Sequence, residues 1–165
     1  MSDRQPGASE RPKFLCDAML GSLARWLRFF GFDAAYLEPG VEDLELAELA
    51  RGEGRWLLTR DHELASLGPR TMLVRAEALE DQLVEVLSRL GLEPEPNLES
   101  SRCGECNGRL EPVTRDDVRG AVPPYVLANA PRFRRCTSCG RIYWPATHTP
   151  RILETMQAVV RRLNV

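Results

Sequence analysis

Two cysteine pairs, Cys103-Gly-Glu-Cys106 and Cys136-Thr-Ser-Cys139, restrict this chain more than anything else in it. A Cys-x-x-Cys turn carries two sulfurs on one side, and two such turns can close on one tetrahedral ion. Gly104, Gly108 and Gly140 relax the backbone where the turns are tightest. Two disulfides are the alternative reading. Paired turns of this spacing, in a chain with no secretory signal, favour Zn²⁺ held by Cys103, Cys106, Cys136 and Cys139. Four thiolates fill the tetrahedron and leave no position for water, so such a centre is structural. The chemistry must lie elsewhere.

A chain of 165 residues can hold one ordinary core and a small metal-stapled satellite. Residues 1–11 are polar, contain Pro6 and Gly7 and lack an apolar run, which reads as a loose tail rather than a leader. No stretch is long enough to span a bilayer, so no membrane contact is expected. The expected location is the cytoplasm, where thiols stay reduced and the fifth cysteine, Cys16, serves as a small buried hydrophobe. A net charge of −2 does not attract nucleic acid to the chain as a whole. Any such contact has to come from local clusters. Lys13 is the only lysine, and codon bias accounts for this use of arginine at least as well as phosphate recognition does.

The apolar pattern alternates between strand and helix. Phe14-Leu15-Cys16 is followed by Asp17 and then by Met19, Leu20, Leu23, Trp26, Leu27 and Phe30 at helical spacing, closed by Gly31. Strands are expected at 34–37, 55–59 and 71–75, with helices beginning near Asp43, after Asp61 and at Leu79. This βαβαβαβα order, with strands apolar throughout, predicts an α/β domain over 12–92 with a parallel sheet flanked by helices. Glu93-Pro-Glu-Pro-Asn97 breaks the pattern and marks a linker over 93–98. Residues 99–165 then hold the cysteine ribbon, with strands at 109–113 and 141–144, and an amphipathic closing helix from Pro150.

Asp17 and Asp61 each stand after a strand and before a helix, at the edge where ligands of parallel sheets bind. A lone aspartate there is more often an N-cap, which contributes about 1 kcal/mol. Two of them, joined by Asp43 at the start of an intervening helix, form a cluster of like charges that a cation would relieve. Such hard oxygen donors suit Mg²⁺ or Mn²⁺ and, through them, phosphodiester hydrolysis. Glu77, just past the last strand, is the fourth acid of choice over Asp81, and Glu45 can share the role of Asp43.

The stretch Asp17-Ala-Met-Leu-Gly-Ser-Leu-Ala-Arg-Trp-Leu-Arg-Phe-Phe-Gly-Phe-Asp33 resembles the Mut-seven C-terminal RNase family. So do Leu57-Leu-Thr-Arg-Asp61, Asp81-Gln-Leu83, both cysteine pairs and Tyr143-Trp-Pro-Ala-Thr-His148. The resemblance implies a PIN-like fold, a C-terminal zinc ribbon and metal-dependent ribonuclease activity, with Asp17, Asp43 and Asp61 in the acidic metal positions. The fourth position has no easy match.

Arg25 and Arg28 near Trp26, and Arg60 beside Asp61, are candidates for holding phosphates, against the plainer reading of solvated helix faces. In the ribbon, Arg132, Phe133, Arg134, Arg135, Arg141, Tyr143 and Trp144 interleave cations with aromatics, which suits single-stranded RNA. Arg60, Arg134 and Arg135 are the RNA-binding candidates. The competing view is that the arginines balance the negative zinc–thiolate centre and the aromatics fill the ribbon core. His62 is expected as an exposed first-turn residue and His148 as part of the turn before the last helix. The leading function is a metal-dependent ribonuclease; the alternative is a noncatalytic RNA- or protein-binding adaptor. A phosphatase using Asp17 as nucleophile is disfavoured, because Met19 stands where a second aspartate would be needed.

Overall fold

Strand β1, Lys13–Cys16, lies at the centre of a parallel sheet and binds a neighbour on each side. In the computed structural model, which describes residues 10–165, it pairs with β2 (Ala34–Tyr36) and with β3 (Arg55–Thr59). β3 in turn pairs with β4 (Thr71–Leu73), giving the four-strand order β2-β1-β3-β4. Alternate side chains of one strand serve opposite faces. Phe14, Cys16 and Leu58 enter one core with α1 (Gly21–Phe29) and α4 (Leu79–Arg89). Leu15 and Leu57 enter the other with α2 (Asp43–Glu53) and α3 (His62–Ala65). Helices on both faces explain why the strands read as continuous apolar runs rather than as alternating ones. Each large side chain fully buried there contributes about 1.5–3 kcal/mol.

The chain order reverses between β1 and β3, so the connections that leave these two strands cover opposite faces. That opens a crevice at their carboxyl ends.

Two expected strands end early. β4 stops at Leu73 because the amides of Arg75 and Ala76 turn to the Glu85 carboxylate at 3.0 and 2.9 Å. β2 stops at Tyr36, one residue before the expected Leu37. Of the tail expected over 1–11, residues 1–9 lie outside the described residues, whereas Arg11 sits 4.1 Å over the Phe32 ring and donates to Phe30 O at 3.1 Å.

The ribbon is an antiparallel sheet of β5 (Leu110–Val113), β6 (Phe133–Cys136) and β7 (Ile142–Tyr143), in that order. Between β5 and β6 lies α5 (Pro124–Asn129), whose Val126 and Leu127 pack on Val118, Val122 and Phe133. The closing helix α6 (Thr149–Leu163) follows the ribbon in sequence but packs elsewhere. Its Met156 and Val159 are fully buried in the core beside α1 and α4. The start of the ribbon segment is held as closely: a Cβ on Gly31, at φ +86°, would stand 2.6 Å from Ser100 Oγ and 2.7 Å from its carbonyl oxygen. Gly31 therefore does more than end α1; it admits the backbone at Ser100. Among the described residues no helix is long and apolar enough to cross a membrane.

Candidate acidic site and cysteine centre

Asp17 and Arg28 are the buried charged side chains among the described residues, each 7% exposed, and both are neutralised by local dipoles. Asp17 extends the pairing of β1, its amide bonding to Leu58 O at 3.1 Å. Its Oδ1 accepts the Met19 amide at 3.1 Å and its Oδ2 accepts the Thr59 hydroxyl. Thr59 Oγ1 also accepts the Asp61 amide at 2.9 Å. One hydroxyl thus ties together the ends of β1 and β3. Asp61 caps α3, its Oδ1 accepting the amides of Glu63 and Leu64 at 2.7 and 3.1 Å, while its Oδ2 takes no hydrogen bond among the described residues.

Asp43 opens α2 after the β2 edge, and Glu77 follows the turn after β4. Across the sheet order, the four expected acids follow the carboxyl ends of consecutive strands as Asp43, Asp17, Asp61 and Glu77. Asp43, Asp61 and Glu77 are exposed. The four do not close into one compact group: among the described residues, the one set of three or more metal-ligating side chains within 4.8 Å of one another is the cysteines. Asp81, exposed like Glu77, pairs with Arg162 of α6 at 2.7 Å, whereas Glu77 enters no ion pair among the described residues. The turn bearing Glu77 is fixed by Arg60, which donates to Ala76 O, and by Gln82 Nε2, which donates to Ala76 O and Glu77 O at 3.1 and 3.3 Å.

The cysteines form no disulfide. Cys103 and Cys139 Sγ are 3.7 Å apart, and Cys106 and Cys136 Sγ 3.4 Å. A tetrahedron with zinc–sulfur bonds of about 2.3 Å has edges of about 3.8 Å, so the sulfurs match that shape. Backbone amides face the sulfurs: Gly108 N approaches Cys106 at 3.4 Å, and Ser138 N and Cys139 N approach Cys136 at 3.4 and 3.5 Å. Burial opposes ionisation of Cys136, yet those amides and the neighbouring thiols lower its pKa to about 6. Cys106 is exposed as a residue, yet its thiol is pushed up to about 12 by lost solvation inside the cluster and by the sulfurs of Cys136, Cys139 and Cys103. A Cβ on Gly108 would stand 2.6 Å from Cys136 Sγ, so no other residue fits that position. The group can hold a metal such as zinc.

Local sequence did not reveal how this centre is attached. Asn107, at φ +70°, accepts the Ala34 amide at 3.0 Å and donates to Asp33 Oδ1 at 2.6 Å, where Arg55 also binds at 2.6 Å. Asp33 pays desolvation, but Arg55 and Asn107 outweigh it and hold the carboxyl below its usual range. Arg28 donates to Ala34 O at 2.8 Å and to Gly104 O at 2.7 Å, bolting α1 to the first cysteine turn. Only the positive φ of Asn107 would betray this role, and asparagine is among the few residues that adopt it readily.

The candidate RNA-binding arginines turn their donors inward. Arg134 binds Leu98 O at 2.9 Å, Ser101 Oγ at 3.1 Å and Glu99 O at 3.3 Å. Arg135 donates to Asp117 O at 2.9 Å. His62 is exposed in the first turn of α3, and His148 is exposed before α6. Cys16 is fully buried, and its thiol is pushed up to about 12, chiefly by that burial. Tyr143, expected only to grip RNA or fill the ribbon core, places its hydroxyl 3.0 Å from Cys103 Sγ.

The family model of the Mut7-C RNAse domain matches residues 12–156, from the start of β1 into α6. The chain belongs to the Mut7-C RNase family. No curated protein and no solved structure matches the chain. The match runs through the cysteine centre and the first half of the closing helix, so the family unit includes the ribbon as well as the sheet.

Proposed function

We propose that the chain is a metal-dependent ribonuclease that hydrolyses single-stranded RNA at the carboxyl edge of its parallel sheet. The reading is carried by the hydroxyl of Thr59, which joins Asp17 and Asp61 at the point where the strand order reverses. Their oxygens are hard donors that follow adjacent strands, and Asp61, whose Oδ2 takes no hydrogen bond among the described residues, is exposed. This donor set fits Mg²⁺ or Mn²⁺, which tolerates water in the positions that protein does not fill. Asp17 and Asp61 would hold the ion directly, with Asp43 and Glu77 holding its waters. When bound, the ion supplies a polarised water and neutralises charge on the phosphate.

Thr59 keeps Asp17 oriented, and the amides of Glu63 and Leu64 fix the direction of the Asp61 carboxylate. Arg60, Arg134 and Arg135 add positive potential near RNA while their donors brace the backbone. The cysteine centre takes Zn²⁺ in a structural role, which suits a reducing, cytoplasmic setting.

Asp17→Asn and Asp61→Asn provide the test. Asparagine keeps an acceptor for the capped amides and removes the charge, so the fold should persist. Cleavage of single-stranded RNA in Mn²⁺ should fall by at least about a hundredfold, and the wild type should need Mg²⁺ or Mn²⁺. Equal cleavage by the variants, or by the wild type with no divalent ion added, would refute this chemistry. RNA binding without cleavage under any metal condition would instead make the chain a noncatalytic adaptor.

A further inference from the structure

A cavity of about 580 Å³ lies where the ribbon meets α1 and the beginning of α6. Its size falls within the range of about 300–1,000 Å³ found for small-molecule sites. Phe29, Tyr143 and Trp144 line it half-buried, and Arg25, Arg132 and His148 line it exposed. Among its charged groups are Arg25, Arg102, Arg132 and Arg134 against the single carboxylate of Glu99, an excess of positive charge in a chain of net charge −2.

These arginines are not equivalent. Arg102 spends its Nε on Asn107 O at 2.8 Å, and Arg134 is committed to the linker carbonyls. Arg25 and Arg132 each meet one exposed carboxylate, Glu105 at 3.5 Å and Glu99 at 3.3 Å. Exposed pairs of this kind are weak, so both guanidiniums can exchange a carboxylate for a phosphate. Aromatic side chains lining a cavity beside two available cations complement a flat, anionic ligand.

We propose that this cavity holds one unstacked nucleotide of a single-stranded RNA, its base on Trp144 and Tyr143 and its phosphate on Arg25 and Arg132. Nucleic acid as the ligand rests on the ribonuclease reading; the charge and shape of the cavity do not. The site is separate from the acidic edge. α1 begins four residues after Asp17, with Arg25 at its midpoint and Phe29 at its end. Its nine residues span about 14 Å, which a stacked strand covers in about four nucleotides. The cavity would therefore hold the strand a few nucleotides away from the scissile bond.

Adenosine 5′-monophosphate and ribose 5-phosphate are suitable probes, titrated into the full chain without added divalent ion while the Trp144 indole N–H is followed by NMR. The mononucleotide should shift that resonance saturably and bind about tenfold more tightly than the sugar phosphate. The double variant R25Q/R132Q should lose about tenfold in mononucleotide affinity with unchanged zinc content and thermal midpoint. Trp144→Phe, which keeps an aromatic in the ribbon core, should retain binding in part. The proposal is overturned if the Trp144 resonance does not saturate, if ribose 5-phosphate binds equally well, or if R25Q/R132Q keeps full affinity. A response to acidic peptide but not to nucleotide also overturns it, in favour of a protein partner. No turnover is read here, so failed binding leaves the ribonuclease reading standing, whereas intact binding with no cleavage in Mn²⁺ removes that reading alone.

Discussion

The cysteine centre and the acidic edge are built by opposite strategies. At the centre, backbone amides, the Tyr143 hydroxyl and a glycine that admits no side chain converge on four sulfurs. At the edge, Asp17 is buried and fixed while Asp43, Asp61 and Glu77 remain exposed. A site that must keep one ion has every coordinating position supplied by protein. A site that must admit RNA, water and an exchangeable ion keeps positions open. The difference is the one expected from the structural role proposed for the first and the catalytic role proposed for the second.

The largest effect should come from the closed site. Cys103→Ser or Cys136→Ser, or removal of zinc, should unfold the ribbon, because structural zinc contributes on the order of 10 kcal/mol to small modules. Gly108→Ala should act similarly, though more weakly, by displacing Cys136 Sγ. The sequence division at 93–98 would leave the α/β part untouched by this loss. The structure couples them through Arg28, Asn107 and α6, so the thermal midpoint of the whole chain should fall. Zinc content and circular dichroism measure both effects; a two-step melt with the upper midpoint unchanged would show independent modules.

The attachment between the regions should matter less. Asp33→Asn removes the carboxylate shared by Arg55 and Asn107, at a cost of about 1–3 kcal/mol. The pKa of Asp33 is lowered by folding, so its contribution is fully present above its unfolded value, near 3.9, and is lost as pH falls through the lower folded value. Urea unfolding should show wild type and Asp33→Asn converging in that acidic window. A constant difference down to the lowest pH would mean that Asp33 acts through its shape and not its charge.

The smallest stability change, about 1 kcal/mol, is expected for Thr59→Val, which removes the hydroxyl between Asp17 and Asp61. Its effect on cleavage should exceed its effect on stability. Equal activity would show that the two aspartates need no shared anchor.

What the sequence made legible was local. The βα order, the capping by Asp17 and Asp61 and the cysteine turns follow from periodicity, cap chemistry and spacing. The bonds of Arg134 to Leu98 O and Glu99 O were not legible, because an arginine beside aromatics gives no sign of which distant carbonyls it will meet. β6 was missed because Phe133-Arg-Arg-Cys136 sets two half-buried arginines between buried ends, in a ribbon too thin to need a continuous apolar run. Thr59 looked like the end of a strand, since its neighbour across the sheet, Asp17, lies 42 positions away.

Met156 and Val159 have a consequence for the order of assembly. They complete a core whose other buried members lie before residue 93, so a helix that follows the ribbon in sequence closes the core of the parallel sheet. During synthesis the face of α4 beneath α6 stays uncovered until the last helix leaves the ribosome. Contacts of this sequence separation slow folding, and the exposed face is a target for association with other chains until it is covered. A fragment ending at the linker would retain the acids and the sheet yet carry that uncovered apolar face permanently.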